Sequence, residues 1–210
     1  LLAAADTFKI SLHGPGGHAA SPHETIDTIA LAGLLIQAIH QLVSRRLNPL
    51  ESGVVTIGTI HGGSVDNIIP DRVVLTGTLR SFTQASRQVL FRELEKAARI
   101  VEPLGAQVEI SILPGYPPTI NAPAPTAICR EVARDVAGGD GLHLHLKPSM
   151  GAEDFAYLSQ VVPGCYVWLG NGPGEGGCML HSPHYDFNDD IIATGIRYWT
   201  RLVETVLPPG

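Results

Sequence analysis

The sequence is poor in charge. Asp, Glu, Lys and Arg make up 16% of its 210 residues, and the formal net charge is −6. No stretch concentrates Lys or Arg beyond the pair Arg45-Arg46, which excludes the basic stripe that a nucleic-acid surface needs to neutralise phosphates. No apolar run reaches the roughly 18 residues of a membrane span, so no membrane partner is expected. The opening LLAAADTF has no basic n-region and too short an apolar stretch for a secretory signal. Cysteine is scarce. Cys129, Cys165 and Cys178 are an odd number at unpatterned spacings, which predicts reduced thiols in a cytoplasmic protein rather than a disulfide framework. What the chain does have is apolar content: 44% of residues are hydrophobic and mean hydropathy is +0.16. That builds a core and leaves surface for a partner or for further chain.

The two halves differ in texture. TFKISLHG alternates and predicts a strand. ETIDTIALAGLLIQAIHQLVSRR carries Ile29, Ile36, Ile39 and Val43 at helical spacing. Ser21, Pro22 and Glu24 ahead of it suit an N-cap, a first-turn proline and a capping-box glutamate. GVVTIGTIHGG and RVVLTGTLRSF read as β-branched strands joined by a loop containing Asn67 and Pro70. TQASRQVLFRELEKAARIVEPLG predicts an amphipathic helix opened by Thr83 and closed near Gly105, and AQVEISIL a final strand. The order β-α-β-β-α-β predicts a ferredoxin-like α+β sandwich over residues 6–118. GVVTIGTI would be an edge strand with few charges, open to pairing with a second copy.

After the Pro- and Gly-rich linker LPGYPPTINAPAPT, residues 119–210 read as α/β. PTAICREVARDVAG predicts a helix, HLHLKP a short strand, GAEDFAYLSQVV a helix and GCYVWLGNG a buried strand. NDDIIATGIRYWTRLVETVL predicts a closing helix capped by Asn188 or Asp189. About 90 residues with two or three strands is less than a doubly wound sheet needs. This half therefore reads as part of a domain.

Histidines carry most of the candidate chemistry. His181 and His184, in GCMLHSPHYDFNDD, suit metal ligation, with Asp186 or Asp189 orienting a ring or adding an oxygen. Residue types alone also suit a solvated loop whose aspartates serve the helix that follows, since HxxH on a loop is not a specific metal signal. His143 and His145 would share one strand face, as chelators or as its polar side. GPGGHAASPH is a glycine-rich turn before a helix, but it holds neither G-x-G-x-x-G nor a P-loop ending. Its glycines place His18, an acid, base or oxyanion donor if it is not simply a solvent histidine. Arg80, at the end of VLTGTLR, suits a carboxylate clamp, and Asn67 a carbonyl donor. Each is also ordinary at a surface.

Taken together and in order, HGPGGHAASP, VDNIIPDRVVLTGTLRSF, SMGAEDFAYL and CMLHSPHYDFNDDI closely resemble the hippurate hydrolase branch of the metal-dependent aminoacylase and carboxypeptidase family. The resemblance covers essentially the whole chain. It implies a metal-dependent amidohydrolase that cleaves N-acyl amino acids with two divalent ions, zinc or manganese. Its α/β catalytic domain would carry a ferredoxin-like lid that pairs in a homodimer. His18 matches the lid histidine that stabilises the oxyanion, Asn67 and Arg80 the pair holding the substrate's amide and carboxylate ends, and His181 a C-terminal metal ligand. Glu153 lies in the Glu-Asp-Phe motif near the site. The implied mechanism is attack by a metal-bridging hydroxide with a glutamate as proton shuttle. Members of that family are roughly twice as long, and their first half carries the remaining ligands and the general base. The resemblance therefore implies a chain incomplete for catalysis by itself; the alternative is a non-catalytic dimerising module or inactive fragment.

Overall fold

The computed structural model describes residues 1–172 and 180–207, which divide into two units. The first comprises Leu1–Thr119 and Pro148–Tyr157; the second comprises Ile120–Lys147 and Leu158–Gly210.

The first unit runs β1 (Ala4–His13), β2 (Gly17–His18), α1 (Thr28–His40), α2 (Leu42–Arg46), β3 (Gly53–Gly62), β4 (Ile68–Ile69), β5 (Arg72–Ser81), α3 (Gln84–Ala98) and β6 (Gln107–Leu113). Four strands form one sheet in the order β3-β5-β1-β6, antiparallel throughout. This is the ferredoxin-like α/β arrangement, with β3 at an edge. Alternation explains the layers. Phe8, Ile10 and Leu12 of β1 and Val73, Leu75 and Leu79 of β5 face inward against Leu35 and Ile39 of α1 and Leu90 and Leu94 of α3.

Asp6 falls on that inward side of β1 and is buried. A carboxylate there needs a charged partner, and Arg87 of α3 supplies it. Arg87 Nε donates to Oδ1 and Oδ2 of Asp6 at 3.2 and 3.0 Å, and Nη2 donates to Oδ1. The pair also clasps the chain leaving β6. Arg87 Nη2 donates to the Gly115 carbonyl at 3.1 Å, while the Gly115 N–H donates to Asp6 Oδ1 at 2.9 Å.

The first long helix begins later than its sequence suggests. Asp27 caps α1 by accepting from the Ile29 and Ala30 N–H groups. Ser21 makes no side-chain cap bond, and Pro22–Glu24 form a separate 3-10 turn. The buried face of α1 is Thr28, Ala32, Leu35 and Ile39, whereas Ile29 is exposed. Thr83 caps α3 as expected, its Oγ1 accepting from the Ser86 N–H. Gly105 closes the following 3-10 turn at a left-handed φ of 99°.

The second unit contains α4 (Pro123–Ala137) and α6 (Ile192–Val206); α5 (Phe155–Val161) is divided between the units. The two strands expected here are absent among the described residues. HLHLKP is irregular, with His143 and His145 both exposed. Among the described residues the apolar segment around Tyr166 forms no strand. Asparagine side chains bond the backbone in its place. Asn121 donates to the Tyr166 carbonyl and accepts from its N–H, both at 2.9 Å. Asn171 likewise donates to the Asp186 carbonyl at 2.9 Å and accepts from the Asn188 N–H at 2.8 Å. In α6, Ile192, Ile196, Trp199 and Val203 recur at helical spacing, and all are about half exposed.

Candidate functional site

The glycine-rich turn after β1 builds a short ribbon. Gly17 pairs with Ile69 and His18 with Ile68, and the Ala19 N–H donates to the Asn67 carbonyl at 3.0 Å. His18 on β2 and Asn67 in the turn entering β4, about fifty residues apart in sequence, are therefore brought side by side. Buried Ile69 anchors the ribbon, and Thr28 Oγ1 donates to the Pro70 carbonyl at 2.7 Å, tying its base to α1. Space rather than backbone angle demands the glycines here. A Cβ on Gly16 would sit 2.8 Å from the Ile69 carbonyl oxygen, and one on Gly17 would collide with Thr25 Cγ2.

The His18 ring is oriented by its own chain. Its Nδ1 accepts from the Ala20 N–H at 3.0 Å. A ring nitrogen that accepts has no proton, so neutral His18 carries its hydrogen on Nε2 and presents a donor. Because the partner is a backbone N–H, no side-chain motif announced it.

Arg80 lies elsewhere. It sits half-buried on β5, opposite Ala5 and Val54. The ribbon leaves the sheet at the His13–Arg72 end, where the Gly14 N–H donates to the Asp71 carbonyl. Arg72 and Arg80 are eight residues apart on one strand, a span of about 26 Å. The structure thus joins His18 with Asn67 and separates both from Arg80. Half-buried Glu153 is at the Arg80 end: the Ala3 N–H donates to the Ser149 and Gly151 carbonyls just ahead of it, and Ala4 pairs with Ser81. The Glu153 carbonyl accepts from the Ala156 N–H at the start of α5.

In the second unit, His181 has φ 70°, the one non-glycine residue with positive φ among those described. That conformation costs energy and is retained where surroundings or function impose it. Ser182 Oγ accepts from the His184 N–H. Asn188 Oδ1 accepts from the Asp190 N–H, so Asp189 and Asp190 form the turn leading into α6. Cys178 lies outside the described residues. Cys129 and Cys165 are free thiols, and burial pushes the Cys165 thiol up, away from the reactive thiolate. Among the described residues, no three His, Cys, Asp or Glu side chains come together to hold a metal. The described residues alone do not make a metal centre, so a dinuclear one would need donors beyond them.

Comparison with known proteins gives this geometry a family. The model for peptidase family M20/M25/M40 matches residues 48–205, well over half of the chain. The chain belongs to this family. N-acetylcysteine deacetylase of Bacillus subtilis is 33% identical over 210 residues, covering 99% of this chain and 53% of that protein. IAA-amino acid hydrolase ILR1-like 2 of Arabidopsis thaliana is 36% identical over 200 residues, covering 92% and 45%. The structure of the Bacillus subtilis YXEP protein, described as a dinuclear metal binding peptidase from the M20 family, superposes with a TM-score of 0.73 at 28% identity, covering 99% of this chain and 51% of that one. The M20-family chain thus spans about half the length of these relatives. Among its described residues no helix is long and apolar enough to cross a membrane.

Proposed function

We propose that this chain is part of a metal-dependent amidohydrolase that cleaves N-acyl amino acids of the hippurate type to a carboxylate and an amino acid. Residues 6–118 serve as lid and dimerisation domain, and residues 119–210 belong to the catalytic domain. Two divalent ions, zinc or manganese, complete the site, and His181 is the ligand this chain contributes. The enzyme works in the cytoplasm. Support comes from family membership and from relatives named for hydrolysis of amino-acid conjugates.

The observation that carries the reading is the ribbon, which holds an Nε2–H donor on His18 beside Asn67. Such a donor, fixed before the reaction, suits an oxyanion developing on an amide carbonyl, while Asn67 holds the amide. Arg80, with a fixed guanidinium fork, clamps the substrate carboxylate, and Glu153 lies at that same end. An N-acyl amino acid spans roughly 10 Å, so it cannot bridge the ribbon and Arg80 of one lid. Two copies are required, one giving His18 and Asn67 and its partner giving Arg80.

The test is hydrolysis of hippurate by the full-length protein loaded with zinc or manganese. Turnover is expected, with kcat falling about 10²–10³-fold in His18→Ala. No turnover with either metal, at verified metal content, overturns the enzymatic reading. An unchanged kcat in His18→Ala removes His18 from the chemistry.

A further inference from the structure

A cavity of about 370 Å³ lies on the helical side of the first unit, in the groove between α1–α2 and α3. Its size suits a small ligand. Its floor includes buried Leu42, and Leu34, Ala38, Ala97 and Ile100 add apolar lining beside Gln37 and Gln41. The rim carries Arg45, Arg46, Lys96 and Arg99 against one carboxylate, Glu93. Four of the chain's 14 Lys and Arg residues therefore surround one groove in a molecule of net charge −6.

The internal counter-charge is already spoken for. Glu93 takes Lys96 at 2.9 Å, Arg92 at 3.2 Å and Arg46 at 3.8 Å. Arg99 pairs with Glu102 at 2.7 Å. Arg45 has no ion-pair partner among the described residues. The helix ends account for part of this placement, since Arg45 and Arg46 occupy the last turn of α2 and Lys96 that of α3. Partial charges at exposed helix ends do not neutralise the surplus that remains when four cations share two carboxylates, Glu93 and Glu102.

We propose that this groove binds a small amphipathic anion, a carboxylate or phosphate head on a short hydrocarbon body. The floor takes the body and the rim takes the head. A second copy seated by two-fold symmetry would set the same positive surplus against itself. A nucleic acid needs a longer basic track than four side chains. The proposal stands apart from the amidohydrolase reading, because the groove holds none of the residues assigned to that site.

Calorimetric titration of the 210-residue chain at low ionic strength tests it, with octanoate and octyl phosphate as the two probes. At least one is expected to bind one equivalent with Kd of about 100 μM, weakening as salt is added. Which head binds more tightly tells a carboxylate source from a phosphate source. Octanol and octyltrimethylammonium are expected to show no binding. Arg45→Glu combined with Lys96→Glu should weaken the anion about tenfold or more. Glu93→Gln, which removes the competing carboxylate, should tighten it severalfold, a gain that damage to the fold cannot mimic. The proposal is overturned if neither anion binds, if octanol binds as well as octanoate, if inorganic phosphate binds as well as octyl phosphate, or if the charge variants leave Kd unchanged. A dimer in sedimentation that Arg45→Glu with Lys96→Glu dissociates would assign the groove to a second copy instead.

Discussion

At the scale of single residues, the first unit rests on a few polar groups placed where alternation calls for apolar ones. Asp6 is the clearest. It shares the inward side of β1 with Phe8, Ile10 and Leu12, so its carboxylate has no water to turn to and is held by Arg87 and the Gly115 N–H. Asp6→Ala leaves the Arg87 guanidinium buried without its counter-charge, which should cost about 3–5 kcal/mol. Urea unfolding midpoints measure the loss. Replacing Asp6 and Arg87 together by apolar residues should restore much of it, whereas an undiminished midpoint in Asp6→Ala would mean the pair is not buried as described. The alternating segment TFKISLHG starts one residue after Asp6, and the burial of Asp6 emerged only with the structure. Its partner could not be read either, because 81 residues separate the two and only the packing of α3 on β1 joins them. His18 shows the same limit: its glycine-rich setting is visible in sequence, but its tautomer follows from the Ala20 N–H, which every residue but proline possesses.

At the scale of elements, periodicity located the strands and helices of the first unit, and local competition decided their ends. Ser21 and Asp27 both have N-cap chemistry. The Ser21 N–H is drawn to the His18 carbonyl at 2.9 Å, which turns the chain back under the ribbon and leaves Asp27 to open α1. In the second unit HLHLKP and GCYVWLGNG have strand-like composition, but a strand exists only with a partner. Among the described residues the Tyr166 backbone bonds the Asn121 amide in place of a strand. Helix α3 carries a titratable contribution of its own. The Lys96 hydrogen bond, followed by that of Arg92, holds the Glu93 carboxyl below the usual carboxylate range. Its folded pKa is the lower one, so its stabilisation is complete above the ordinary carboxylate pKa and disappears as pH falls through the lowered value. Wild type should therefore be more stable than Glu93→Gln at neutral pH, and the two should converge in acid. Thermal melts at pH 7 and at successively lower pH provide the comparison. A gap that persists or widens in acid contradicts the ion-pair account.

At the scale of the whole molecule, β5 is long enough to keep Arg80 about 26 Å from the strand end where the ribbon begins. If the site is shared between two copies, His18→Ala and Arg80→Ala chains should complement one another in the full-length protein. A heterodimer then holds one intact site and one doubly altered site. Random exchange between the two inactive homodimers should restore about a quarter of wild-type activity. An exchanged mixture that stays inactive would place both residues in one chain's site or remove one of them from catalysis. Sequence by itself determined the family, the ferredoxin-like order of elements and the residue types capable of the chemistry, because these depend on local periodicity and short motifs. Only the tertiary structure decided which of those residues meet. Meeting depends on strand register and on which backbone groups find partners, and these join segments about fifty or more residues apart. His18 and Asn67 were brought together that way, and Arg80 was kept from both.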